Sequence, residues 1–334
     1  MKKYKICKIL LVILAIFLCV AFYELLGICV AYKKQPEVSN TTKKETKNGS
    51  WNECSENTER AVIIEKNPEA LLQRVRLIKN AKKEIILSTF AFQSDESGKL
   101  ILGALHDAAD RGVHIRLLVD GMESWIDMEG NPYFYGLSSH ENVEIKLYNK
   151  ANPLKPWKIM GRMHDKYLIA DGKRYILGGR NTYNYFLGDF PGHKNYDRDV
   201  LVVCDEPEKE NSVNQLLEYF ETIWEQEDSG YFHDNKKLAN RKSVKNAVLE
   251  LQNGYQKYFE ENKERICDTD YTDETFETEK IALVSNPIHT GSKEPVVWYQ
   301  LGELMKNAKN RVKIHTPYII CNDMMYNTWE EIAE

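Results

Sequence analysis

His164 and Lys166 stand two positions apart in Arg162 to Ala170 (RMHDKYLIA), a segment whose apolar residues predict a strand. Side chains alternate across a strand, so His164, Lys166 and Leu168 point the same way. Their Cα atoms would lie about 6.5–7 Å apart, which lets an imidazole and an ammonium grip one phosphate together. Asp171-Gly172 follows, a dipeptide that suits a hairpin turn. Tyr175-Ile176-Leu177 predicts the return strand, ending in Gly178-Gly179-Arg180-Asn181, where small residues admit a ligand close to the backbone. Each residue also has a purely structural reading. Asp171 suits a type I′ turn on its own account, Gly178 and Gly179 an ordinary turn, and Asn181 the cap of a helix starting at Thr182. Asp199 could be a surface charge on a strand.

The elements around this segment predict an α/β domain. Pro68 to Lys83 has helical periodicity, Glu84 to Phe92 (EIILSTFAF) is a bounded apolar run, and Lys99 to Asp110 is a second helix with Gly112 placed to end it. Val113 to Val119 (VHIRLLV) and Val143 to Tyr148 are further strands. Strand, helix, strand implies a parallel pair with a crossover helix. Ser212 to Glu227 and Lys242 to Lys263 predict helices, and the acidic stretch 264–279 an inter-domain linker. The thirteen residues from Leu77 recur from Leu304 at a constant offset of 227, sharing Leu, Lys-Asn-Ala-Lys and the closing Thr. This points to a duplicated domain whose second copy starts near Lys280. In that copy His315 is a strand residue rather than a catalyst. Cys204 closes an apolar strand as a core residue, while Cys54, Cys267 and Cys321 have no spacing signature.

The N-terminus is of a different kind. Ile9 to Tyr32 holds one charge, Glu24, and as a helix spans about 36 Å, enough to cross a ~30 Å hydrocarbon core. Lysines flank it on both sides, and residues 35–60 form a polar linker. A short tail before a span favours an extracytoplasmic body, although the lysines balance the positive-inside rule. Residues 1–50 carry nine Lys against three Glu, so the rest of the 334-residue chain is acidic within a net charge of −5. An acidic body is a poor generic partner for nucleic acid, and none is expected.

His164-x-Lys166-x4-Asp171 followed by Gly178-Gly179-x-Asn181 resembles the HKD motif of the phospholipase D superfamily. Asp95, Gly98, Ala109, Arg111-Gly112-Val113, Arg116 and Asp120-Gly121 resemble the stretch upstream of it in cardiolipin synthase-like members. Arg198-Asp199 resembles the pair that follows the motif there, and Ser285-Asn286-Pro287 and Thr316-Pro317-Tyr318 the opening of the second half. The resemblance implies an α/β/α sandwich with a mixed, largely parallel sheet. One complete half (61–263) and the start of a second (280–334) would follow a transmembrane anchor (1–34). It further implies that His164 attacks phosphorus to form a phosphohistidine. Lys166 and Asn181, with Gly178 and Gly179, would hold the phosphoryl oxygens, and Asp199, with Asp197 as fallback, would orient the imidazole. Asp171 belongs to the motif in a more structural role. An alcohol or water then takes the phosphatidyl group, and with a phosphatidylglycerol-like acceptor the product is cardiolipin. Neither metal nor other cofactor is expected, since no HExxH or CxxC spacing occurs.

Two-half members carry a second motif whose His protonates the leaving alkoxide, and the offset of 227 places it beyond Glu334. A record ending before that motif, homodimerisation supplying the partner in trans, and a pseudoenzyme are the three explanations. The leading expectation is therefore a membrane-anchored phospholipid phosphodiesterase or phosphatidyltransferase. The alternatives are a membrane-anchored nuclease of the same superfamily and an inactive lipid-binding or scaffolding protein.

Overall fold

The computed structural model describes residues 2–49, 59–207, 211–233, 235–316 and 319–333. Cys54, Pro317, Tyr318 and most of the second half of the predicted linker lie outside the described residues. In chain order the helices and strands are α1 (Lys2–Tyr32), α2 (Asn40–Lys47), β1 (Arg60–Ile64), α3 (Asn67–Asn80), β2 (Glu84–Thr89), α4 (Glu96–Asp110), β3 (His114–Asp120), α5 (Glu123–Asp127), α6 (Pro132–Ser138) and β4 (Val143–Tyr148). They continue with β5 (Tyr167–Ala170), β6 (Arg174–Gly178), β7 (Asp199–Val203), α7 (Ser212–Trp224), β8 (Ser229–Tyr231), α8 (Lys242–Glu261), α9 (Lys263–Cys267), β9 (Phe276–Glu277), α10 (Val296–Lys306) and α11 (Asp323–Ala333).

The nine strands form one sheet in the order β8-β4-β3-β2-β5-β6-β7-β1-β9. β2 and β3 are buried on both faces, which is why they are continuous apolar runs rather than alternating ones. They pair in parallel, as do β3 and β4. All remaining pairings are antiparallel. The sheet is thus mixed, as expected, but largely antiparallel rather than largely parallel. The tight turn after β5 is too short to carry a crossover helix, and the longer connection from β6 to β7, residues 179–198, forms no helix.

Helices cover both faces. On one, α3, α4, α6 and α8 close over Leu87, Ile101, Ile115, Leu117 and Phe134. The α4–α8 contact is so close that a Cβ on Gly103 would lie 2.7 Å from the Leu251 carbonyl oxygen and from the Tyr255 side chain. On the other face α7 presents Val213, Leu216, Phe220 and Ile223 to Ile86, Leu118, Ile169 and Val202. Both ends of α4 are fixed in the sequence. Asp95 caps its start by accepting from Gly98 N at 3.0 Å, and Gly112 follows its end at φ 88°, a conformation that glycine adopts without strain.

The acidic stretch 264–279, expected to be a linker, instead packs on α3. Ile266 and Tyr271 are buried, β9 pairs with β1, and Arg76 bonds the Asp268 and Asp270 carbonyls and the Glu274 carboxylate. Its charge is answered by a buried arginine rather than by water. In the predicted second copy, α10 forms over the repeated helix, but residues 311–316 pair with no strand. His315 there lies outside any strand and accepts from Arg198 at 2.5 Å. At the N-terminus, Lys5–Tyr32 has a mean hydropathy of 2.9 and its apolar window is unburied, a candidate membrane anchor. The 35–60 stretch is not uniformly irregular, since Ser39 caps α2 by accepting from Thr42 N at 3.1 Å.

Candidate active site

The segment carrying His164 is not a strand until Tyr167. Asp120, fully buried at the end of β3, draws it away from the sheet. It accepts from Met163 N at 3.0 Å and pairs with Arg162 at 3.1 Å, while also accepting from Met122 N and Glu123 N. Ser88 donates to the Met163 sulfur at 3.1 Å. The expected alternation of His164, Lys166 and Leu168 along a strand therefore fails at its first two members, because Asp120 takes over the backbone just before them.

What results suits phosphate chemistry better. His164 is open to solvent, with one ring face against Phe90 at 4.8 Å between centroids. Lys166 is buried, at 6% exposure; its ammonium folds back to donate to the His164 carbonyl at 2.6 Å and lies 5.5 Å from the Phe90 ring centroid. Burial pushes the Lys166 ammonium down to about 8, against the opposing pull of Asp165 and Asp197. Partial desolvation, and then the Lys166 charge, lower the His164 pKa, with Asp165 and Asp120 opposing. An imidazole held below its ordinary value is neutral, with a lone pair available, at neutral pH.

His164 and Lys166 open into a cleft of about 470 Å³. Its far wall comes from the C-terminal segment, with Leu283, Ser285, Asn286 and Lys293. Tyr219 on α7 donates to Asp165 at 2.7 Å at the same cleft. Burial lowers the Lys293 pKa, giving the cleft a second partly desolvated cation. Sequence reasoning passed over Phe90, Arg162, Asp165, Tyr219 and Lys293. No motif marks them; only the nearness of Asp165 and Arg162 to His164 in the chain could have suggested two of them.

The other expected site residues are placed differently. Asn181 is buried at the end of the β6 extension, where its side-chain oxygen accepts from Ala91 N at 3.2 Å, so only its amino group remains to bind a ligand. Gly178 lines the cleft with His164 and Lys166, whereas Gly179 does not, and both glycines are packed against carboxylates. A Cβ on Gly178 would lie 2.1 Å from the Asp199 carboxylate, and one on Gly179 2.1 Å from that of Asp197. The glycines admit two carboxylates.

Asp199, expected to orient the imidazole, is fully buried in an ion-pair triad, with Arg74 at 2.9 Å and Arg180 at 3.3 Å. Arg180 is itself pinned by the Ile64, Glu65 and Asp197 carbonyls and by Asn67. The Asp199 charge is spent on two guanidinium groups and is not directed at His164. The fallback, Asp197, bonds its carboxylate to Arg198 N and bears electrostatically on Lys166 rather than on His164. Asp171 stands at the far end of β5 from His164. Its carboxylate accepts from Lys82 N, Lys83 N and Glu84 N at 2.7–3.0 Å, and its φ of 55° makes the hairpin turn with Gly172. It fastens β5 to the end of α3 and takes no part in the cleft, so its placement among catalytic residues is corrected to a structural one.

Comparison with known proteins agrees with this architecture. The family model for the PLD-like domain of cardiolipin synthase matches residues 74–224. An uncharacterized protein of Helicobacter pylori is 28% identical over 288 residues, covering 78% of this chain and 54% of that protein. Cardiolipin synthase C of Escherichia coli is 29% identical over 171 residues, covering 47% of this chain and 34% of that enzyme. Among solved structures, the phospholipase D family member Nuc from Salmonella typhimurium aligns over 53% of this chain and 99% of its own, at 18% identity and a TM-score of 0.40. The chain spans about half or less of the length of these curated relatives. The match falls on the strands and helices that build the His164 cleft, from α3 through α7, so this part of the chain is similar to the PLD-like domain of cardiolipin synthases.

Proposed function

We propose that the chain is a membrane-anchored phospholipid phosphodiesterase or phosphatidyltransferase of the cardiolipin synthase type. The observation that carries the proposal is the pairing at the cleft: an open imidazole with a lowered pKa beside a buried ammonium. Its relatives named cardiolipin synthase point to a phospholipid substrate rather than another phosphodiester.

In this reading the neutral His164 ring attacks the phosphodiester phosphorus. A P–N bond forms, the P–O bond to the leaving alcohol breaks, and the leaving oxygen takes up a proton from a general acid. Lys166 lies in a desolvated pocket where a cation stabilises the growing phosphoryl charge more than it would in water. Lys293, on the opposite side of the cleft, adds a second cation toward the same charge. Water or an alcohol such as the glycerol hydroxyl of phosphatidylglycerol then attacks phosphorus, gives its proton to the conjugate base of that general acid, and releases the imidazole as the P–N bond breaks. No second histidine lines the cleft among the described residues. The acid that protonates the leaving group is then a group of the cleft other than histidine, such as the Lys293 ammonium, or a group from a second copy of the chain.

The test is lipid product analysis of the chain reconstituted with phosphatidylglycerol, with and without added alcohol, beside His164→Ala and Lys166→Ala. Cardiolipin or phosphatidic acid formed by wild type and absent from His164→Ala is the expected result. Trapping of a radiolabelled phosphatidyl adduct in wild type, lost in the variant, identifies the intermediate. Equal product formation by His164→Ala overturns the proposal.

A further inference from the structure

Six large apolar side chains are exposed beside the cleft. Met122, Trp125 and Ile126 lie after β3, and Leu154, Trp157 and Met160 lie between β4 and β5. Trp125 is 73%, Ile126 70% and Leu154 77% exposed. The two segments adjoin: Gly121 is so close to the second that a Cβ there would lie 2.7 Å from Lys150 N. Arg162, paired to Asp120, donates to the Asn149 carbonyl at 2.5 Å and joins both to the His164 segment. Single exposed apolar residues are ordinary, but a cluster of this size on adjoining segments marks a contact surface.

The anchor helix shows what this surface meets. From Tyr23 onward one side of α1 touches the body, while Leu25, Leu26 and Val30 on its other side stay exposed. Tyr23 donates to the Leu154 carbonyl at 3.0 Å, Gly27 abuts Pro156, and Tyr32 donates to the Thr290 carbonyl at 2.9 Å. The α1 residues from Lys5 to Phe22 are almost wholly exposed. That free length is about 18 residues or ~27 Å, close to one ~30 Å hydrocarbon core. The helix therefore leaves the bilayer near Tyr23, the residue bonded to the Leu154 loop. Two exposed tryptophans at that level match the amphipathic rings that settle at membrane interfaces. The two segments and their surroundings carry both signs, Lys150, Lys155 and Lys158 against Glu123, Asp127 and Glu129, so apolar burial rather than attraction to anionic lipid supplies the contact.

We infer that Met122 with the short helix α5, and the segment 154–160, insert into the leaflet where α1 leaves it, as a second membrane contact that holds the cleft mouth at lipid-phosphate level. The insertion rests on α1 as an anchor and not on the chemistry assigned to His164. Arg162, between these segments and His164, transmits the position to the site.

The test uses the full chain in vesicles of phosphatidylethanolamine and phosphatidylglycerol, with or without brominated acyl chains, read by tryptophan fluorescence. Brominated chains are expected to quench wild type, and Trp125→Phe/Trp157→Phe to lose most of that quenching. Both tryptophans are exposed, so phenylalanine leaves the core intact. His164→Ala is expected to quench like wild type, which separates failure of this inference from failure of the catalytic reading. Equal quenching of wild type and the double variant overturns the inference. So does an unquenched wild type, the outcome if a second copy or another protein covers the patch.

Discussion

Replacing Lys166 by Met is expected to make the protein more stable and inactive. Lys166 is 6% exposed and its ammonium is pushed from 10.5 down to about 8, a drop equivalent to about 3 kcal/mol spent on keeping the charge in the folded state. The hydrogen bond to the His164 carbonyl returns about 1 kcal/mol. Methionine fills similar volume without the charge, so Lys166→Met should gain about 2 kcal/mol at pH 7. The gain has a pH signature. Between about pH 8 and pH 10.5 the unfolded wild type holds a proton that the folded protein has shed, so wild-type stability rises with pH across that window. The advantage of the variant is therefore full below pH 8 and fades as pH approaches 10.5. Denaturant unfolding of both chains in one detergent, followed by circular dichroism across that range, measures it. Turnover should fall by about 100-fold or more, because the phosphoryl charge loses its desolvated cation. A variant less stable than wild type at neutral pH, or a difference that does not change with pH, refutes the reasoning.

Three further outcomes follow from the same geometry. Because burial and Lys166 lower the His164 pKa, the acid limb of kcat/KM should have its midpoint below 6.5, and should move upward in Lys166→Met; a pH–rate series on both measures it. Asp199→Asn leaves Arg74 and Arg180 facing no carboxylate in the core and should cost about 3–5 kcal/mol in unfolding free energy; intact stability with lost turnover would instead restore a direct role toward His164. Asp171→Ala removes three backbone partners at the end of α3 and places alanine at positive φ, so it should lower stability by about 2–4 kcal/mol in chemical denaturation while reducing turnover of the folded fraction far less than His164→Ala does.

Residue type and spacing were enough to find His164, Lys166 and the hairpin through Asp171-Gly172, because each depends on neighbours a few positions away. The same holds for β2 and β3, whose apolar runs match strands buried in a sheet, and for β4, whose apolar residues alternate with Glu144 and Lys146. What stayed illegible depends on distant partners. Nothing near residue 164 announces that Asp120 will hold Met163 and Arg162 out of the sheet. Nothing near Asp199 announces that Arg74 and Arg180 will meet its carboxylate. The acidity of 264–279 suggested solvent, yet one buried arginine from α3 reverses the inference.

The repeat beginning at Leu304 carries the same lesson further. Its helical part forms as α10, because a helix closes its own hydrogen bonds. Its strand part, 311–316, keeps apolar residues at the positions of Ile85 and Leu87 but has Lys313 where β2 has Ile86, and it forms no ladder among the described residues, because a strand closes its hydrogen bonds only with a neighbour. β2 has β3 and β5 on either side, and the edges of the described sheet are already held by β8 and β9. Likeness between the two segments therefore predicts a strand only where partners of the same kind as β3 and β5 stand beside it. The site divides in the same way: His164 has Lys166 and Phe90 beside it from the segments that flank β5 and β2, while the opposite side of its cleft is supplied by the C-terminal segment.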